Sequence, residues 1–291
     1  MSKEYVLVVD STIDLPVDLV DKMDVLVLPL KYHMDNKDFT NYLDYRDQPV
    51  KEFYELVKGG SHATTSQLVP DDFISLLTPL LKEGKDVLIT TFSSELSGTF
   101  NSSRLATLEL KEAFPEREIL TIDTKSASLG YGLLMYLAAM EKNKGLSILE
   151  LEQFINDTIP KIAHWFTVDD ISHLRRGGRI SAVSSVVART LSIKPIMHCN
   201  IEGKLIPRNK AISRRKSIKA LFTKMEETAV LDQQDVFIGH GDDLVAAETL
   251  KGYVLEKYPN AKVLINNIGP VIGAHTGQGV LALFFVAGDR G

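Results

Sequence analysis

Cysteine is almost absent: Cys199 stands alone in 291 residues. An internal disulfide is excluded, and the count suits a reducing compartment. Long apolar runs are missing as well. No stretch approaches the roughly 18 residues of a membrane span. The apolar run in the N-terminal MSKEYVLVVD is too short for a signal peptide. A cytoplasmic location is the expectation. Positive charge is in deficit, with 33 Lys and Arg against 38 Asp and Glu, a net charge of -5. Phosphate backbones are drawn by a net basic face, so no nucleic-acid partner is expected. His62, His164, His173, His198, His240 and His275 are scattered without ligand spacing, so neither a metal nor a cofactor is expected.

What is present is an ordinary globular balance, 44% apolar and 24% charged. The length suggests two domains. Val6–Val9, Val25–Leu30, Val87–Thr91 and Ile119–Ile122 are short apolar β-branched runs, suited to strands covered on both faces. Helical patterns at Asp71–Leu81 and Ser97–Leu110 fall between them. Residues 1–160 are therefore expected to form an α/β, doubly wound, mostly parallel sheet domain. In such sheets ligands sit beyond the carboxyl ends of the strands, where Asp10, Ser93, Ser94 and Asp123 lie. Leu129–Met140 is apolar all round and reads as a buried helix. Ser147–Thr158 reads as a second helix. Strands are then expected at Ile162–Val168, Ile193–Cys199, Val236–Gly239, Val263–Asn267 and Val280–Val286. Asn200–Gly203 reads as a hairpin turn, and Ser213–Thr228 and Asp242–Tyr258 as helices. Residues 161–291 are thus a second α/β domain with a partly antiparallel sheet.

Five segments can carry chemistry, and each has a plainer reading. Ala63–Gln67 clusters three hydroxyls and an amide, or caps a helix ahead of Pro70. Ser93–Thr99 leads from a strand into a helix, whose free first-turn N–H groups attract anions. It lacks the Gly-Lys-Ser/Thr of a P-loop and the Gly-x-Ser-x-Gly of a nucleophile elbow. N-capping is the plainer alternative. Gly269–Gly279 sets His275 in an exposed glycine-rich loop, where imidazole could donate to an anion. Leu174–Ile180 flanks a glycine pair with arginines, fit for carboxylates or phosphates, or simply ends a helix. Lys204–Lys219 holds seven basic residues and no acidic one, a docking face or a solvated helix face. Asp10-Ser11-Thr12-Ile13-Asp14 could form a metal or phosphatase pair. A turn with a helix cap fits it better.

The segments follow one another in an order that resembles the DegV family, which includes the fatty-acid-binding subunits of bacterial fatty acid kinase. The matching pieces are Asp10-Ser11 with Asp14-Leu15-Pro16, Thr65-Ser66-Gln67, Ser93–Thr99, Asp123–Ser126, Leu174–Ile180, Lys194-Pro195-Ile196 and Gly269–Gly277. The resemblance implies two α/β domains with a fatty-acid tunnel between them, and no catalysis by the chain alone. Thr65 and Ser97 match carboxylate-binding hydroxyls, with Ser66, Gly98 and Thr99 beside them, and His275 matches the glycine-loop histidine. Arg175, Arg176 and Arg179 match a region associated with the kinase partner, and Arg208 and Arg214 of the basic stretch join that docking set. Family members often carry Lys-x-Arg where this chain has Lys210-Ala211-Ile212, so Ile212 departs from the pattern and Arg214 or Arg215 stands in. The implied partners are a long-chain fatty acid, an ATP-dependent kinase subunit and, transiently, a membrane surface. The implied product is an acyl phosphate that feeds exogenous fatty acid into phospholipid synthesis. Leu129–Met140 and Val183–Leu191 are candidate tunnel walls, or plain core. The rival readings are a stand-alone phosphotransferase or hydrolase using Asp10 or Ser97, and a regulatory docking module using Lys204–Lys219.

Overall fold

Apolar β-branched runs build the sheets, and the computed structural model describes residues 4–180, 193–230 and 235–290. The first part of the chain runs β1 (Tyr5–Asp10), α1 (Val17–Met23), β2 (Val25–Leu28), β3 (Lys31–Met34), β4 (Lys37–Thr40), α2 (Val50–Lys58) and β5 (Ala63–Ser66). Next come α3 (Pro70–Lys82), β6 (Asp86–Thr91), α4 (Thr99–Ala113), β7 (Ile119–Asp123), α5 (Ser128–Asn143) and α6 (Ile148–Thr158). The remainder is β8 (Ile162–Thr167), α7 (Ser172–Arg176), β9 (Ile193–Cys199), β10 (Leu205–Ile212), α8 (Arg214–Thr228), β11 (Asp235–His240), α9 (Leu244–Lys257), β12 (Lys262–Asn267), α10 (Pro270–Thr276) and β13 (Leu281–Val286).

β2, β1, β6 and β7 form a parallel sheet in that order. Its central strands are buried on both faces, which is why they read as continuous apolar runs. A mixed six-stranded sheet follows the order β10-β9-β8-β13-β11-β12. These two sheets bear out the expected α/β class. A third, antiparallel sheet, β4-β3-β5, has no counterpart in the sequence reading. Its strands are four residues each; β3 and β4 mix charges with aromatics and β5 is small and hydroxylated, so pairing partners rather than local pattern decide them.

Helix ends follow local chemistry. Ser147 caps α6, accepting from Glu150 N while the Glu150 carboxylate accepts from Ser147 N. Pro70 and Pro270 sit at the first positions of α3 and α10, where a missing N–H costs nothing. Ala63–Ser66 is a strand and not a helix cap, and α3 is instead preceded by Val69. Gly269–Gly279 is not an exposed loop, since most of it winds into α10 and packs on α7, α2 and β5.

The sheets are separate, but the main core is not. One apolar cluster joins Leu7, Val8 and Ile89 of the parallel sheet to Phe166, Phe237 and Phe284 of the mixed sheet. α5 lies between, packed on β8, β11 and β13. Most of its Leu129–Met140 segment is core, though Met140 is exposed, and the chamber described below meets this helix region at Ala127 and Ser128. The other wall candidate, Val183–Leu191, lies outside the described residues. A second cluster fills the far face of the mixed sheet under α8 and α9.

Candidate ligand-binding site

Strand alternation aims the first hydroxyl. Thr65 sits opposite the buried Tyr32 in the β3–β5 ladder, while Thr64 sits opposite the exposed His33. Thr65 Oγ1 lies 2.8 Å from His275 Nε2, a contact across 210 residues. α10 brings the imidazole there. Gly177 makes room for it, because a methyl at that position would overlap His275 Nδ1. Nδ1 itself is buried without a partner. Burial, helped by the nearby Arg179 guanidinium, pulls the His275 imidazole down to about 4, so it is neutral near pH 7.

Ser97 enters from the turn before α4. Its hydroxyl accepts from Thr99 N at 3.2 Å and lies 3.0 Å from Thr99 Oγ1. Thr99 is buried and also accepts from Leu68 N, tying the β5–α3 connection to α4. Gly98 lets the two segments meet, since a methyl there would collide with the Gln67 amide. Arg179 completes the ring. Its Nε donates to Leu96 O at 3.0 Å, and its Nη1 donates to Gly177 O.

Behind these groups lies a cavity of about 260 Å³. Thr65, Ser66, Gln67, Ser97, Arg179 and His275 form its polar side. Leu30, Phe92, Leu174, Phe166, Val271 and Phe284 are among its apolar walls. The arrangement can hold an apolar body inside and an anionic head among hydroxyls, a neutral imidazole and one guanidinium. Thr65, Arg179 and His275 also line a second cleft, together with His62, His173 and Arg176.

Thr65, Ser66, Ser97 and His275 thus share one chamber, while Gly98 and Thr99 support it from behind. Arg179, expected in the docking set, lines the chamber itself. Arg175 and Arg176 are exposed at the end of α7, which Gly177 caps. Arg208 is exposed on β10, whereas Arg214 is drawn into ion pairs with Asp243 at 2.7 Å and Asp169 at 3.8 Å. Ile212 is 66% exposed, and Arg215 beside it is exposed too.

Asp10 is occupied elsewhere. Its carboxylate accepts from Thr12 N, Thr12 Oγ1 and Phe92 N, all within 2.9 Å. Burial, the largest influence, raises it to about 6 despite those bonds. Asp14 accepts from Ser128 Oγ at 2.6 Å and is pushed up to about 8, again by burial. Both serve the turn after β1 and neither lines the chamber. Ser93 donates to Gly203 O at 2.9 Å, binding the two halves together. Among the described residues no cluster of His, Cys, Asp or Glu is placed to hold a metal, and no helix is long and apolar enough to cross a membrane.

The sequence reading missed the apolar walls supplied by β8, β13 and α10, and the role of Arg179. The near-continuous apolar runs of β8 and β13 mark strands covered on both faces, but which face meets the chamber depends on the packing of α5.

Fold and site together define a three-sheet α/β protein with an apolar chamber and a polar mouth. Residues 4–288 match the family model described as "Uncharacterised protein, DegV family", and the chain belongs to the DegV family. A DegV domain-containing protein of Clostridium perfringens is 41% identical over 289 residues, covering 99% of each chain. A structure presented as fatty acid binding of a DegV family protein from Thermus thermophilus superposes with a TM-score of 0.86 at 27% identity, covering 98% of this chain and 99% of that one. DegV of Bacillus subtilis, described as a fatty acid binding protein, gives a TM-score of 0.86 at 25% identity, covering 98% of this chain and 100% of that one.

Proposed function

We propose that this protein buries the tail of a long-chain fatty acid in the chamber and offers the carboxylate, held at the mouth, to a separate ATP-dependent kinase. The observation that carries the reading is the Thr65–His275 contact on the polar side of a largely apolar cavity. Each buried methylene contributes about 0.8 kcal/mol. The tail therefore supplies the affinity and the mouth fixes the head group. Thr65, Ser97 and His275 orient the carboxylate, and Arg179 offsets its charge. Fatty-acid binding by solved relatives supports the ligand class.

The carboxylate oxygen attacks the terminal phosphorus of ATP, the bond to ADP breaks, and an acyl phosphate forms for phospholipid synthesis. The second cleft, with His173 and Arg176, is the side from which the donor arrives, and exposed Arg175 and Arg208 belong to the docking face. The reaction is placed in the cytoplasm, where ATP is available. The division of the chain into domains 1–160 and 161–291 belongs to the same reading, with the ligand between them. A stand-alone phosphotransferase using Asp10 is disfavoured by the three hydrogen bonds that occupy that carboxylate.

The experiment has two arms. Denaturing the protein purified from bacteria and extracting it with organic solvent should yield a stoichiometric fatty acid by mass spectrometry. With a partner kinase and ATP, Ser97→Ala should slow acyl-phosphate formation while the fold persists. An extract without lipid removes the ligand, and undiminished turnover removes Ser97 from the mechanism.

A further inference from the structure

The chamber and the second cleft, the latter about 360 Å³ in volume, share Thr65, Arg179 and His275. A head group held by Thr65 and His275 therefore sits at the border of both spaces. Three elements converge on the cleft. β5 brings Thr64 and Thr65, α10 brings His275, and α7 brings His173 and Arg176. His173 and Arg176 are three positions apart, on one face of α7. Arg176 Nη2 lies 3.1 Å from His173 Nδ1. A guanidinium only donates, so Nδ1 is the acceptor and the imidazole holds the arginine in place. Gly277, at φ +77°, makes room for that ring, since a methyl there would overlap it.

Charge says what the cleft can take. None of the described residues lining it is acidic. Asp170 acts on His173 and Arg176 by charge, but it does not line the cleft, and its carboxylate accepts from Ser172 N and Ser172 Oγ. Among the described residues Arg176 forms no ion pair. Arg179 donates only to the carbonyls of Leu96 and Gly177. Two guanidinium charges thus face the cleft, and a carboxylate at its border matches one. A phosphoryl group raises the anionic charge to about -1.5 to -2, which matches both. Reach agrees with charge. The phosphorus of an acyl phosphate is bonded directly to a carboxylate oxygen. The chamber takes the chain, so the phosphoryl group extends from Thr65 and His275 into the cleft.

We propose that the second cleft is a phosphoryl subsite, in which Arg179 and Arg176, the latter positioned by His173, bind the phosphate of an acyl phosphate whose chain stays in the chamber. The inference rests on the fatty-acid reading above. To test it, delipidated protein is titrated by calorimetry with palmitate and with the phosphonate in which a methylene replaces the bridging oxygen of palmitoyl phosphate. The phosphonate should bind about tenfold tighter than palmitate, the worth of one hydrogen bond between charged groups. The methyl ketone that lacks the phosphonate should show no such gain. Arg176→Gln should abolish the preference and leave palmitate affinity unchanged, which also reports that the variant folds. Arg176→Lys, which keeps the charge, should retain part of it, and His173→Phe, which releases the guanidinium, should weaken it severalfold. Palmitate binding with the phosphonate no tighter overturns the subsite alone. So does a preference that survives Arg176→Gln, or a loss in that variant that is equal for both ligands. Failure of palmitate to bind wild type overturns the fatty-acid reading and the subsite with it.

Discussion

Replacing Thr65 with valine tests the mouth most directly. Valine keeps the shape of threonine and suits a strand, so β5 should keep its pairing with β3. What disappears is Oγ1, the partner of His275 Nε2. Nδ1 is already unpaired, so the imidazole would be left with two unmet nitrogens. An orphaned buried polar group costs about 1–3 kcal/mol. The delipidated variant should therefore melt lower by about 2–4 °C for each kcal/mol lost. Binding separates two contributions. A hydrogen bond to a charged head is worth about 1.5–3 kcal/mol, so palmitate affinity should fall about tenfold to a hundredfold. Shortening the ligand from palmitate to decanoate removes six methylenes, about 5 kcal/mol, and should cost more than a thousandfold in either protein. Differential scanning calorimetry and isothermal titration calorimetry give both quantities. An unchanged melting temperature with unchanged palmitate affinity would refute the role of the pair. Equal affinity for palmitate and decanoate would refute the division of labour between tail and head.

Gly177→Ala adds a methyl against His275 Nδ1 at a backbone angle alanine accepts. It should lower palmitate affinity about tenfold and be non-additive with Thr65→Val, because both act through one imidazole; additive losses would show otherwise. Asp14, raised to about 8 from an ordinary 3.8, adds stability that is complete below about pH 4 and is lost as pH rises through 8. His275, lowered to about 4 from 6.5, works oppositely, its contribution complete above 6.5 and lost as pH falls to 4. The two slopes offset each other between 4 and 6.5, so Asp14 stands alone from 6.5 to 8 with about 1.4 kcal/mol per pH unit. Asp14→Asn should flatten that limb in denaturant titrations, and an unaltered slope would show that the carboxyl is already ionised. Arg290 is 1% exposed and donates to Ile162 O, Lys125 O and Ser126 Oγ, linking β8 to the connection between β7 and α5. Arg290→Met should lose about 3 kcal/mol, the order of one or two hydrogen bonds to a charged group, and a midpoint in urea equal to wild type would count against the clamp.

The parallel sheet was legible because its strands are buried on both faces. Burial on both faces writes a continuous apolar run into the chain at Val6–Val9 and Val87–Thr91. α6 was legible from Ser147 and Glu150, since a capping box is a local device. β3, β4 and β5 were not legible. Their composition matches no strand template, and only the ladder between Tyr32 and Thr65 makes them strands. The same cause hid α10, whose seven residues hold together through packing on α7 and α2 rather than propensity. Arg175, Arg176 and Arg179 look equivalent along the chain, yet only Arg179 turns to the chamber, since the helix has ended by then and the backbone reverses at Gly178, where φ is +69°.

By itself the sequence determined the α/β class, the buried α5, and the residues able to face an anion. Those properties follow from patterning and side-chain chemistry within a few turns of chain. Tertiary structure alone decided that Thr65 meets His275, that Arg179 lines a cavity, and that Asp10 and Asp14 are sealed in a turn. Such pairings join residues as many as 210 positions apart. They are settled by how three sheets, α5 and α10 pack together, a balance that no local window contains.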